Sequence, residues 1–577
     1  MSAFFDIWIS NSDAPKHNRI TNKQWQNNKP GCYHSHPNLA SFKSYTEHIY
    51  NNTVLTILGQ FYEQVDIDVL TKNCINHIEN GSKFDDPAGH YLLIVKDNER
   101  ETTHFFTSRL GTYHAYWCNS NGQNIVSTYY LAIAKQLQDK QLNWEALSSF
   151  FAVGYFPGQE TYLTGINIML PASCYSFDAD LNLKKQYRYW DWQYTPISTD
   201  HKETFAVLDE TLRSSLCFAT NNKRVALPIS GGLDSRMLAG IINKSNCKSD
   251  NIWAYSYGYS KQSQEIKIAA QVAATYNILF ESYTVPNYLF KELDHITDAV
   301  ELFQYIDGTR QASIRDLLEK KADVVIGGHW GDVWMNNFDL GNGSEEEKSK
   351  YFFEKKLVKR GSDWLLRQVC SSHLHHPLES VLNNYSDALK QYDHIKDFSF
   401  KLKAFKTDTW SFRWTLASIR MFQSAAFPIL PFYDKRIVDL FCNIPTSLTN
   451  DRLLQIEFIK SLYPELAIIK WDQHDANLYN YKNARTKTLT YRAANKIKRI
   501  LTGDKGITRN WEVFFLNPEG KKQLTSQLLT KPLTDLVPPH KINALIDQFY
   551  ANPTAGNGYT ISMLLTFSLF LQQIHEE

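Results

Sequence analysis

The chain has 577 residues, enough for two or more domains that each bury a core. Its apolar fraction of 43% and charged fraction of 21% are those of an ordinary globular enzyme. A formal net charge of +1 removes any bulk electrostatic case for nucleic acid or a membrane surface as partner.

Met1-Ser2-Ala3-Phe4-Phe5-Asp6 has neither a basic start nor an unbroken apolar run, so no signal peptide is expected. Residues 1 to about 195 read as β-rich. Val54-Leu55-Thr56-Ile57-Leu58, Tyr91-Leu92-Leu93-Ile94-Val95 and Thr103-His104-Phe105-Phe106-Thr107 are strand-like runs, some bounded by polar or Gly-containing turns. Trp144 to Val153 predicts a helix, and Tyr189 to Asp200 reads as a linker.

From about residue 203 the period changes. Phe205, Leu208, Leu212 and Leu216 fall at helical spacing. The runs Val225-Ala226-Leu227-Pro228-Ile229, Ile252-Trp253-Ala254-Tyr255-Ser256 and Val324-Val325-Ile326 are separated by lengths that suit helices, which predicts a parallel sheet with crossovers. Beyond about 340 the pattern is mostly helical. Ile561 to Leu571 is too short to span a bilayer, which takes about 20 residues, and reads as a buried helix.

Eight cysteines (Cys32, Cys74, Cys118, Cys174, Cys217, Cys247, Cys370 and Cys442) are scattered without a CxxC pair. Neither a zinc site nor a disulfide framework is expected, and a reducing cytoplasm is the expected compartment. His373-Leu374-His375-His376-Pro377 reads as a surface turn rather than a metal site.

The sharpest signal is Ser230-Gly231-Gly232-Leu233-Asp234-Ser235, between a predicted strand and a predicted helix from Arg236 to Ile242. Two glycines allow close backbone approach to an anion, serines add donors, and a helix N-terminus adds a favourable dipole. Asp234 would repel a phosphate unless it holds Mg²⁺ against it. An ordinary strand-to-helix turn is the plainer account of a lone Gly-Gly pair, but not of the whole string.

This loop resembles the pyrophosphate loop of enzymes that cleave ATP to AMP and pyrophosphate. Three further stretches narrow the resemblance to the glutamine-hydrolysing asparagine synthetase family. Ile326-Gly327-Gly328-His329-Trp330-Gly331-Asp332 is similar to its second nucleotide motif. Leu430-Pro431-Phe432-Tyr433-Asp434, followed by Asn443-Ile444-Pro445, looks like its Pro-Phe-Leu-Asp segment. Gly59-Gln60-Phe61-Tyr62-Glu63, Gly89 to Lys96 and Ser108-Arg109-Leu110-Gly111 look like its glutaminase half. The resemblance is weakest between about 340 and 405.

The resemblance implies an α+β Ntn-hydrolase-like sandwich over 1–195, as a class II amidotransferase-like domain. Over 203–577 it implies an α/β ATP-pyrophosphatase domain, adenine nucleotide α-hydrolase-like, with a parallel sheet and added helices. The implied function is an AMP-forming ligase using ATP and Mg²⁺. It would adenylate a small-molecule or peptide carboxylate, release pyrophosphate and pass the acyl group to ammonia or an amine. A ring-forming or lasso-peptide cyclase and a polysaccharide-tailoring amidotransferase are alternatives within this chemistry, and a non-catalytic nucleotide-binding scaffold is one outside it. No nucleic acid or membrane partner is expected, and a homodimer is kept open.

Ser230, Gly231, Gly232 and Ser235, with Leu233 in the loop, are assigned to pyrophosphate. By resemblance Pro228, Tyr257, Gly327 and Gly328 contact adenosine. Asp234 and Asp332 are the Mg²⁺ candidates. The family's oxyanion-stabilising lysine has Lys470 as its nearest counterpart, two residues out of register; a solvated surface lysine explains it equally well.

The pattern departs from the family in four places. Ser2 stands where the nucleophilic Cys is expected, and Leu58-Gly59 where an Asn-Gly oxyanion hole is, so the glutaminase reads as lost. His329 replaces a Glu and, at an unperturbed pKa near 6.5, is a candidate base; simple packing beside Trp330 is the alternative. Ile429 replaces an Arg, leaving Arg420 as the nearest upstream cation and weakening the case for free aspartate.

Overall fold

Short runs of β-branched and aromatic residues form the strands of the first half. They are β1 (Asp6–Ser10), β2 (Gln26–Lys29), β3 (Cys32–Ser35), β4 (Tyr45–Tyr50), β5 (Thr53–Phe61) and β6 (Gly89–Asp97). β7 (Thr102–Thr107), β8 (Tyr116–Ser120), β9 (Gln123–Ser127), β10 (Ile166–Ile168), β11 (Ser173–Phe177) and β12 (Leu183–Arg188) follow. The structure is a computed structural model that describes residues 6–575, except 12–24, 30, 36–43, 121, 198–199, 246, 248, 250, 261–262, 485–492, 494–506 and 508.

These strands build two antiparallel sheets, in the orders β10-β8-β9-β1-β3-β2 and β12-β11-β7-β6-β5-β4. They pack face to face: Ile7 and Val126 of the first share a buried cluster with Leu58, Leu92, Phe105 and Tyr175 of the second. Helix α1 (Ile67–Asn80) covers the outer face of the second sheet with Leu70 and Cys74. Helices α2 (Tyr130–Gln136) and α3 (Trp144–Val153) pack on the far side of the first. The result is a helix–sheet–sheet–helix stack.

The second half holds a parallel sheet of β13 (Arg224–Pro228), β14 (Asn251–Gly258), β15 (Leu279–Thr284), β16 (Val324–Ile326) and β17 (Phe427–Ile429), in the order β15-β14-β13-β16-β17. Helix α4 (His201–Thr220) leads in, buried through Phe205, Leu208, Leu212 and Leu216 as their spacing requires. Helices α5 (Asp234–Lys244) and α6 (Gln264–Thr275) make the crossovers. From β13 the chain runs outward to β14 and β15, then returns to β16 on the other side. That reversal opens a crevice beyond the C-terminal ends of β13 and β16, where open parallel sheets take their ligands.

Residues 340–405 form helices including Glu345–Phe352, Pro377–Lys390 and Phe398–Lys406, the last running on into a π-helical stretch, Thr407–Thr415. The Ile561–Leu571 run lies inside the helix Ala555–His575, and its side chains are buried. Among the described residues no helix is long and apolar enough to cross a membrane. His373 to Pro377 is an exposed turn in which the His373 ring stacks on Trp144 at 3.8 Å.

Two expectations change. In the stretch read as a linker, residues 192–197 are docked on the second half. Trp192 is fully buried and donates through Nε1 to Asp408 at 2.9 Å, and the N–H groups of Thr195 and Ile197 each donate at 3.0 Å to the carbonyls of Cys442 and Asn443. Apolar bulk and a buried hydrogen bond outweigh its loop-like composition. Second, Cys217 and Cys247 form a disulfide across a sequence separation of 30, with Cα atoms 4.6 Å apart. The packing of α4 against α5 brings them together, a proximity that spacing along the chain does not encode.

Candidate functional site

Two glycine-bearing turns leave the C-terminal ends of neighbouring strands and meet. The first follows β13. The Ser230 N–H donates to Ser235 Oγ at 3.0 Å, and the Gly232 N–H donates to Ser230 Oγ at 3.2 Å. Helix α5 begins at Asp234 with no side-chain cap at Leu233, so its first turn, where helices lack intrahelical acceptors for their N–H groups, forms the end of this loop. Gly231 is backed by Asp472: a Cβ there would lie 2.7 Å from the Asp472 Cβ.

The second turn follows β16. The Gly327 N–H donates to the Ile429 carbonyl of β17 at 2.8 Å. Trp330 adopts a left-handed φ of 75°, uncommon for a bulky residue, and its indole N–H donates to Thr407 Oγ1 at 3.0 Å. The short helix Gly331–Trp334 then carries Asp332 in its first turn. Glycines let the two turns touch, since a Cβ on Gly331 would stand 3.0 Å from the Asp234 Cγ.

Between them lies a cavity of about 230 Å³. Of the residues singled out in the sequence, Pro228, Ser230, Gly232, Asp234, Ser235, Tyr257, Gly328 and His329 line it. The others sit behind its wall. Leu233 is fully buried, Gly231 packs on Asp472, and Gly327 packs between His329 and Leu430. Asp332 is near enough to Asp234 to oppose its ionisation.

Asp234 is the electrostatic centre. Arg452 donates to its Oδ1, and Gln455 Nε2 donates to the same oxygen at 2.8 Å. Burial pushes the carboxyl up to about 6; Arg452 opposes the rise and Asp332 adds to it. Two repelling carboxylates are the donor set Mg²⁺ takes when substrate phosphates complete its shell. Among the described residues no cluster of three acidic, His or Cys ligands exists. Asp234 and Asp332 fit a phosphate-shared Mg²⁺.

His329 differs from expectation in strength. Burial pulls its imidazole down to about 4, with Asp332 acting the other way, so the ring is neutral at pH 7. Its Nδ1 is buried without a hydrogen-bond partner. A ring this weak cannot take a proton from free ammonium; it can accept a hydrogen bond from an amine.

Lys470 is not brought to the cavity. Its ammonium is half exposed and pairs with Asp475 at 2.7 Å, while its carbonyl accepts from the buried guanidinium of Arg236 at 2.5 Å. Arg420 is likewise taken, pairing with buried Glu301 at 2.7 Å. Asp434, within the Pro-Phe-Leu-Asp-like segment, is structural: it accepts from Ser215 at 2.6 Å and holds Arg436.

Sequence reasoning missed Tyr255, Ser256, Glu265, Arg310, Gln311 and Phe422 in the cavity wall. Arg310 lies 5.5 Å from the Tyr257 ring centroid and offsets the buried carboxyl of Glu265. Arg310 and Gln311 belong to a short 3₁₀ turn with no motif around it. Arg452 is announced only by its backbone, as Asp451 and Arg452 are consecutive left-handed residues with φ of 50° and 61°.

In the first half, Leu58 is fully buried between the sheets, and the Gly59 N–H already donates to the Ser44 carbonyl at 2.8 Å. No oxyanion donor is free at this pair. Ser2 lies outside the described residues.

Residues 208–402 match the family model described as asparagine synthase. The asparagine synthase match takes in β13 to β16 and both glycine turns, and it ends before Arg452 and β17. No curated protein matches the chain. Three solved structures are similar over part of it. A U34-tRNA thiolase from Methanococcus maripaludis with its 4Fe–4S cluster has 15% identity and a TM-score of 0.22, covering 56% of this chain and 78% of its own. A glutamine phosphoribosylpyrophosphate amidotransferase from B. subtilis, complexed with ADP and GMP, has 10% identity and a TM-score of 0.19, covering 44% and 76%. A glutamine-dependent NAD⁺ synthetase from Acinetobacter baumannii, in complex with ADP, has 14% identity and a TM-score of 0.18, covering 46% and 57%.

Proposed function

We propose that the chain is an ATP-dependent ligase that adenylates a carboxylate, releases pyrophosphate and passes the acyl group to ammonia or an amine. The observation that carries this reading is the convergence of both glycine turns and the N-terminus of α5 on one cavity at the reversal point of the parallel sheet.

A carboxylate is a poor electrophile because its charge is delocalised; linking it to AMP makes an anhydride that an amine can attack. The Ser230–Ser235 loop and the first turn of α5 would receive the departing pyrophosphate through backbone and hydroxyl donors. Tyr257 and the Gly327–Gly328 backbone would bound the adenosine. Asp234 and Asp332 would hold Mg²⁺, which neutralises charge growing on the leaving phosphates. Arg452, which donates to Asp234 Oδ1, would keep that carboxylate aimed. In the second step, neutral His329 would accept a hydrogen bond from the attacking amine and orient its lone pair.

The first half would serve this reaction without hydrolysing glutamine. ATP–pyrophosphate exchange measured across a panel of carboxylic acids tests the reading. Acid-dependent exchange is the expected result. Nucleotide binding with no exchange on any acid would instead favour a non-catalytic scaffold.

A further inference from the structure

Beyond His329 and Asp332 the second glycine turn continues into an aromatic enclosure. Trp330 comes from that turn, Phe338 from the segment after it and Trp410 from the π-helical stretch. The Lys406 ammonium stands among them, 5.4 Å from the Trp330 ring centroid, 5.0 Å from Phe338 and 4.5 Å from Trp410. A second ammonium, Lys359, stands 4.3 Å from the same Trp410 ring. Tyr155 and Trp414 extend the wall, each with its centroid 6.0 Å from that of Trp410.

Neither lysine forms an ion pair among the described residues. Asp332 is the carboxylate that Lys406 senses, and Lys406 in turn disfavours the charge on Lys359. Burial lowers both ammonium groups, Lys359 to about 8. Two ammonium groups gathered on one indole, neither ion-paired among the described residues, disfavour each other's charge. An anion between them would relieve that cost. π-helical turns are rare and concentrate at functional sites, and this one carries Trp410, the ring that both amines approach.

We propose that Lys359 and Lys406, gathered over Trp410 beside Asp332, form a subsite for a second anionic group, carboxylate or phosphate, on the acyl donor. The assignment to the acyl donor rests on the adenylation reading. Asp332 acts both on Lys406 and on Asp234 in the cavity wall, so a molecule held here would present another carboxylate toward the α-phosphate. A donor with one anionic group to be activated and another to be gripped satisfies both.

Site-resolved amine labelling tests this on the intact wild-type chain. Isotopic acetic anhydride at pH 7.5, read by peptide mass spectrometry, reports each lysine separately, with exposed Lys350 as the internal reference. Glutarate and glycerol phosphate are the two anionic probes, and glutaramide is the neutral control. The expected result is at least fivefold slower labelling of Lys359 and Lys406 by one or both anions, with none by glutaramide; whichever anion protects identifies the group. No protection by either anion, or equal protection by glutaramide, overturns the subsite. A second measurement separates this proposal from the reading beneath it. Exchange should favour dianionic over matched monoanionic acids at least tenfold, and Lys359→Gln should erase that preference. Protection without exchange on any acid would sink adenylation and leave an anion site. Exchange that ignores the second charge, with unprotected lysines, would sink the subsite and leave adenylation.

Discussion

The buried guanidinium of Arg236 donates to the backbone carbonyl of Lys470 at 2.5 Å and to that of Ile469 at 2.9 Å. One residue of α5, the helix into which the Ser230–Ser235 loop runs, thereby pins a distant turn, whose Asp472 closes over Gly231. Arg236→Met should leave these carbonyls buried and unpaired, at about 1–3 kcal/mol each. A total loss of about 3 kcal/mol or more in urea unfolding is expected. An unchanged midpoint would mean that the turn holds itself.

Asp234→Asn should cut acid-dependent exchange by about 10²-fold or more, because a preorganised charge in a dry site is worth several kcal/mol. The fold should not suffer. Burial and Asp332 already disfavour that charge, so the thermal midpoint near pH 7 should hold or rise. Normal exchange in this variant would remove Asp234 from the nucleotide site.

His329→Ala should spare exchange and slow amide formation by about 10²-fold, the low end for a general base because the ring is a weak one. With its imidazole held at about 4, the wild-type amide rate should stay flat from pH 8 to 6 and fall only toward pH 4. The stability effect has the same direction. The folded chain prefers the neutral ring, so this contribution is whole above the unfolded value near 6.5 and is lost as pH falls toward 4. Equal loss of exchange and amide formation would place His329 in nucleotide binding instead.

Glutamine should be a poor nitrogen donor and ammonium a better one. Leu58 offers no hydrogen bond, and the adjacent Gly59 N–H is spoken for by Ser44. Glutamate release from glutamine at the speed of a working amidotransferase would refute this.

The Cys217–Cys247 link closes a loop across a separation of 30 residues, which the chain-entropy account values at about 3–4 kcal/mol. Thiol titration of air-purified, unfolded protein should find this pair oxidised. Reduction should lower the thermal midpoint by several degrees, and Cys217→Ser should abolish that sensitivity. A midpoint indifferent to reductant would show that helix packing alone carries the region.

Elements governed by local pattern were legible in the sequence. The spacing of Phe205, Leu208, Leu212 and Leu216 predicts their buried face on α4, and the expected bounds Trp144 to Val153 coincide with α3. The same holds for the loop from Ser230 to Ser235, where close backbone approach demands glycine. Arg310 and Arg452 were not legible because a cation reaching a site from a distant turn leaves no periodic trace. Lys470 misled because its position along the chain says nothing of Asp475, which takes its ammonium. The strength of His329 was hidden too, since burial, not residue type, sets it.

Tyr62 belongs to the half of the chain whose own chemistry reads as lost, yet its hydroxyl accepts the Leu430 N–H at 2.8 Å, one residue past the strand that supports Gly327. Arg109 reaches across in the same way to Asp439 at 2.5 Å. A catalytic role can lapse while an architectural one persists, and selection then acts on shape in place of reactivity. The first half then acts as a fixed jig for the second, constrained wherever it shoulders the strands of the parallel sheet. Tyr62→Phe should therefore disturb the strand that supports Gly327 as well as the half in which it sits.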